Sequence, residues 1–207
     1  MPTKKPSQSS EIINKIFRDP SVVYGLKEFE GLNIDELLYI IEQEPGRFYL
    51  KDALSDTFKF VFDEKKQTGR PEEIIRQLWL HKLHAHYKYP FARMAIEKSI
   101  QFGREISKKK ADIIVYKQDK ITPYIIVEVK SPTEEKGIEQ LKSYLNAEGA
   151  EIGFWSNGVN HIILYRPYPK EFNDTLPDLP QADQSIDDLL EAKKTYFDYT
   201  TPKVDLK

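Results

Sequence analysis

The sequence has 207 residues, with 31 Lys plus Arg, 33 Asp plus Glu, no cysteine and a formal net charge of −2. This length permits a domain with an unstapled core, and the missing cysteine excludes a disulfide scaffold, a Cys-based zinc site and a thiol nucleophile. No apolar run approaches the roughly 18 residues that a membrane helix needs, and MPTKKPSQSS lacks the apolar stretch of a signal peptide, so the expectation is a soluble, cytoplasmic α/β protein with no membrane partner.

Residues 1–65 read as an N-terminal helical and strand subdomain of unassigned role, and residues 1–9 are polar enough to be disordered. Glu11 to Phe17 fits a short helix. Asn33 is a plausible N-cap for a helix to about Gln43, stopped by Pro45-Gly46. Phe58, Phe60 and Phe62 alternate with Lys59 and Val61, a strand pattern.

Pro71 suits the first position of a helix that runs to about Tyr87, with Glu72 and Glu73 in its first turn and an apolar stripe of Ile75, Leu78, Trp79 and Leu83. Strands follow at Met94–Gln101, Asp112–Lys117 and Tyr124–Lys130. In the last of these, Ile125-Ile126-Val127 is the unbroken apolar run of a buried central strand. A helix from about Glu134 to Ala147 comes next. Strands at Glu151–Ser156 and His161–Arg166 are joined by the turn signal Asn157-Gly158. The order is helix, three strands, helix, two strands: a central mixed β-sheet flanked by helices. Beyond Pro167 the prolines multiply and the acids gather, so 171–207 reads as an acidic linker or tail, with a short helix at Ser185–Lys194.

The net charge conceals a division. Residues 66–170 carry 18 bases and 12 acids, a net +6, between segments of −3 (1–65) and −5 (171–207). The middle segment is therefore the one suited to a polyanion. It also holds the residues that carry chemistry. Glu128 and Lys130 share a strand face, and a charged pair ending an apolar central strand is costly to bury for fold reasons alone. If the preceding strand pairs as a hairpin, Asp112 lies beside Glu128. Two carboxylates, water and phosphate oxygens are a ligand set that Mg²⁺ accepts, and a neighbouring lysine can orient or deprotonate water and stabilise phosphate charge. Lys108-Lys109-Lys110 directly precede this strand and are candidates for phosphate contact, as is Lys142.

Asp112 followed by Glu128-Val129-Lys130 resembles the D…(D/E)-x-K signature of restriction-endonuclease-like nucleases. Gln140-Leu141-Lys142-Ser143-Tyr144 resembles the Q-x-x-x-Y motif of one branch, and Pro71-Glu72-Glu73-Ile74-Ile75-Arg76-Gln77 its leading acidic helix. Together they are similar to the N-terminal nuclease domain of the type I restriction R subunit, over about 66–170. The resemblance implies a restriction-endonuclease-like core that cuts double-stranded DNA with Mg²⁺. It places Asp112, Glu128 and the Val129 carbonyl on the metal, and Lys130 at the water or phosphate. Gln140 and Tyr144 would face the site, and Glu73, or Glu72, would be the helix acid. Ala111 stands where the family has a proline.

In that family a DNA motor follows the nuclease domain and partners with modification and specificity subunits. This chain has no G-x-x-x-x-G-K-[S/T] loop, so ATP would act only through a motor absent from it. Alternatives are a stand-alone nuclease, and a nuclease-like DNA-binding or docking module without turnover. His81, His84 and His86 do not share one helix face, which disfavours zinc. Trp79 and Trp155 read as core, and no G-x-S-x-G elbow is present.

Overall fold

A computed structural model describes residues 8–17, 22–102 and 105–192. Its elements are α1 (Gln8–Ile16), α2 (Ile34–Leu37), β1 (Ile40–Glu44), β2 (Arg47–Lys51), β3 (Phe58–Asp63), β4 (Thr68–Gly69), α3 (Pro71–Ala85), β5 (Met94–Phe102), β6 (Glu105–Tyr116), β7 (Pro123–Val129), α4 (Ile138–Glu148), β8 (Ile152–Ser156) and β9 (His161–Tyr165). They form an α/β fold with two sheets, one in the order β1-β2-β3-β4 and one in the order β5-β6-β7-β8-β9.

The larger sheet is mixed. β7 pairs antiparallel with β6 and parallel with β8, and α4 is the crossover that a parallel pair requires. Ile125, Ile126 and Val127 are fully buried because both neighbours and both faces are covered. One face packs on α4 through Leu141, Tyr144 and Leu145. The other packs on α3 and, beyond it, the smaller sheet, in one continuous core. Lying between two sheets, α3 is buried on more than one stripe: Ile74 and Leu80 join Ile75, Leu78, Trp79 and Leu83 at 0–1% exposure.

The first segment departs from expectation. The helix anticipated from Asn33 to Gln43 is one turn, α2, and Ile40–Glu44 is instead a strand paired with β2. Pro45-Gly46 turns a hairpin rather than ending a helix. Gly46 takes φ 77°, open to glycine, and its N–H donates to Glu42 Oε1 at 2.6 Å. The lysines 108–110 lie within β6 rather than in a loop. α4 begins at Ile138, later than the expected Glu134, because the preceding loop folds back on Trp155, whose Nε1 donates to the Lys136 carbonyl at 2.9 Å.

Past β9 the chain returns over the end of α3. Ala182 N–H donates to the Tyr87 carbonyl, Tyr89 Oη to the Pro180 carbonyl, and Tyr87 Oη to Asp178. Leu176, Leu179, Ile186 and Leu189 enter the core that contains α3. A helix starts at residue 186; the part of the expected tail from 193 onward lies outside the described residues.

Candidate active site

The β6–β7 pairing brings the candidate residues together. Its register aligns Ile113 with Val127, so Asp112 and Glu128 are the next residues along. The Val129 backbone N–H donates to Asp112 Oδ2 at 2.8 Å, tying the carboxylate to the neighbouring strand. Lys130, just past β7, donates from Nζ to Glu128 Oε1 at 2.5 Å. From α4, Gln140 Nε2 donates to the same oxygen and to Tyr144 Oη, both at 2.7 Å. The spacing of four puts Gln140 and Tyr144 on one helix face. Five of the six residues singled out from sequence as catalytic thus form one connected cluster.

The sixth, Glu73, reaches the cluster through Arg76. Arg76 donates from Nε and Nη2 to Asp112 Oδ1 (3.1 and 2.7 Å) and from Nη1 to Glu73 Oε2 (2.8 Å). Glu73 is buried, whereas Glu72 is only partly so and shares none of these bonds among the described residues; geometry favours Glu73 as the helix acid. Two groups not singled out complete the surroundings. Lys59, on β3 of the smaller sheet, donates to Glu97 Oε2 at 2.6 Å and lies 3.7 Å from Glu73 Oε1 and 3.8 Å from Asp52 Oδ2. Glu97 also lies 3.4 Å from Arg76 Nη1, and holds a left-handed φ of 48° within β5, a strained conformation for a glutamate. Arg76 was legible in principle, as an arginine one turn after Glu73 on an otherwise buried helix. Lys59 was not, because its strand position reads as a solvent-facing polar residue.

Burial shapes the protonation states. Glu128 is 2% exposed, and burial, reinforced by the negative charge of Asp112, pushes its pKa up to about 7 despite the Lys130 hydrogen bond. Glu73 is raised as well, chiefly by burial. For Lys130, burial pulls downward but the Glu128 hydrogen bond and charge outweigh it, so the ammonium is held above its ordinary range. Lys130 is therefore a cation at neutral pH, suited to stabilising phosphate charge or orienting water rather than to removing a proton. Burial and the Glu128 charge push Tyr144 to about 12, so its hydroxyl keeps its proton. Glycine is required close by: at Gly137, with φ 121°, a Cβ would stand 2.9 Å from Lys130 Cε and 3.1 Å from Trp155 Nε1.

The donor set fits a hard dication. Glu128 Oε2 is buried without a hydrogen-bond partner, which is costly unless a cation or water serves it. No group of three or more His, Cys, Asp or Glu is arranged around a common metal position among the described residues. Mg²⁺ needs no such cage, since one or two carboxylates with waters and substrate phosphates suffice.

The other candidates are more peripheral. Lys109 and Lys110 are exposed on β6, and the Lys108 side chain lies outside the described residues. Lys142 is turned to Glu139 at 2.7 Å and to the Phe172 ring. His84 stacks on Phe91, His81 meets the same ring edge-on, and His86 meets Tyr87. Trp79 and Trp155 are core residues. No helix among the described residues is long and apolar enough to cross a membrane.

No curated protein matches the chain. A family model does, that of the type I restriction enzyme R protein N terminus, over residues 71–180. That span covers more than half of the chain and runs from the first residue of α3 past β9, taking in Glu73, Arg76, Asp112, Glu128, Lys130, Gln140 and Tyr144. The chain belongs to the family of type I restriction enzyme R protein N termini, a family with a nuclease role in restriction.

Proposed function

We propose that this chain is a Mg²⁺-dependent endonuclease domain that cleaves phosphodiester bonds of double-stranded DNA as part of a type I restriction R subunit. The observation that carries the reading is the buried, unpartnered Glu128 Oε2 beside Asp112, with Lys130 fixed on the other oxygen of the same carboxylate.

Asp112 and Glu128 would hold the metal, with the Val129 carbonyl as a further oxygen. Bound there, Mg²⁺ supplies Lewis-acid polarisation of the scissile phosphate and lowers the pKa of coordinated water. The Lys130 ammonium offsets the charge that builds on the phosphate as the transition state forms. Gln140 restrains the Glu128 carboxylate, and the buried Tyr144 hydroxyl, which accepts from Gln140, holds that amide in place. Lys108, Lys109 and Lys110 on β6, with Lys142, would contact the DNA backbone. Recognition and delivery of DNA would fall to a motor domain and to modification and specificity subunits, so the isolated chain is expected to cut poorly.

A second reading, a nuclease-like DNA-binding or docking module without turnover, is disfavoured by the intact Asp112, Glu128 and Lys130. The discriminating experiment is a Mn²⁺ titration of the chain with duplex DNA present. Saturable binding that disappears in Asp112→Asn and Glu128→Gln is expected. No metal affinity, even with DNA, would refute the nuclease reading and leave the binding module.

A further inference from the structure

The site contains a fixed organic cation where a second metal would need its ligands. Two-metal nucleases hold their ions roughly 3.5–4 Å apart, with carboxylate oxygens shared between them or supplied from another element. Here the acids available for such an ion, beyond Glu128, are Asp112 through Oδ1 and Glu73 on α3. Both are engaged by the Arg76 guanidinium, with two bonds to Asp112 Oδ1 and one to Glu73 Oε2. We infer that Arg76 takes the place of a second divalent cation, so that the site holds one metal ion, on the Glu128 side of Asp112. This inference rests on the nuclease reading above and specifies its metal stoichiometry.

Four observations support it. The Arg76 side chain is 10% exposed and has little access to water, so displacing it would strand a buried charge. Its third acidic neighbour, Glu97, approaches Nη1 from β5 at 3.4 Å, with Lys59 balancing that acid, so the guanidinium is enclosed by charge from three elements. The charge balance agrees. Asp112, Glu128 and Glu73 are offset by Arg76 and Lys130 to one residual negative charge. One dication together with one phosphodiester neutralises that residue, whereas a second dication would leave an excess of positive charge in a buried site. Two carboxylate oxygens here are buried without a hydrogen-bond partner: Glu73 Oε1 has the Lys59 ammonium 3.7 Å away, whereas Glu128 Oε2 belongs to the carboxylate that Arg76 does not bond.

Arg76 is a positioning residue in this scheme, so its test reads metal stoichiometry rather than turnover. Mn²⁺ is titrated into the chain with a short non-cleavable phosphorothioate duplex and followed by electron paramagnetic resonance, where two neighbouring ions give a spin-coupled spectrum. The expected result is one uncoupled Mn²⁺ per chain, lost in Glu128→Gln. In Arg76→Gln the freed carboxylates are expected to admit a second, coupled ion, and Arg76→Lys to restore one. A coupled pair in the wild-type chain would overturn the inference and leave the nuclease reading standing. No site-bound Mn²⁺ in the wild type would overturn both. An Arg76→Gln chain that folds and still holds a single ion would overturn the claim that the guanidinium excludes the second. If that variant does not fold, the wild-type spectrum decides alone.

Discussion

Replacing Glu128 with glutamine is expected to stabilise the metal-free fold while destroying its function. Glutamine keeps the Oε1 acceptor that serves Lys130 and Gln140 but carries no charge at any pH. In the folded protein the Glu128 pKa rises from the ordinary 4.5 to about 7, chiefly through burial and then through the charge of Asp112. Between these values the folded state retains a proton that the unfolded state releases, so stability falls as pH rises through that window. Above pH 7 the cost of the ionised carboxylate is complete, about 3 kcal/mol for a rise of this size. Urea unfolding in EDTA should therefore show Glu128→Gln more stable than wild type by about 3 kcal/mol at pH 8, with the difference vanishing towards pH 4.5. Saturating Mg²⁺ should narrow the gap at pH 8, because a ligand that binds only the folded state stabilises it. A variant equal to or weaker than wild type at pH 8, or an offset that does not change with pH, would refute the reasoning.

Other changes have equally definite outcomes. Gly137→Ala combines a φ of 121° with a Cβ 2.9 Å from Lys130 Cε; it should cost about 1–3 kcal/mol in urea unfolding and slow DNA cleavage by displacing the lysine. Lys59→Met should cost about 1–3 kcal/mol in the same assay, since buried Asp52 and Glu73 lose a nearby cation, and an unchanged midpoint would remove the smaller sheet from any support of the site. Deleting 171–207 should prevent folding, because Leu176, Leu179, Ile186 and Leu189 each lose burial worth about 1.5–3 kcal/mol. A cooperative thermal transition in that truncated chain would show the segment to be a mere linker.

The parts of the fold that were legible in the sequence are those where local pattern and tertiary environment agree. The apolar run of β7, the proline that opens α3 and the Asn157-Gly158 turn each needed no knowledge of distant residues. Ile40–Glu44 was misread because Pro45-Gly46 ends a helix and turns a hairpin with the same residues; the pairing partner, Phe48 and Leu50, decided the matter. The 171–192 segment looked like a linker because its buried leucines and isoleucine are spaced by prolines and acids without period, and they fit a surface formed by α3 and its following loop. For the candidate site, the strand pair and Gln140 with Tyr144 were visible as motifs. Arg76 and Lys59 were not singled out, because their placement depends on packing α3 between two sheets and on the strained backbone of Glu97.

In the proposed function, Asp112, Glu128 and Lys130 perform the hydrolysis. Its most direct measurement is cleavage of duplex DNA by the assembled restriction enzyme carrying Lys130→Ala, alongside its ATP consumption. Cutting should be lost while ATP consumption and the fold of this domain persist. Undiminished cutting by that variant would contradict the proposed function.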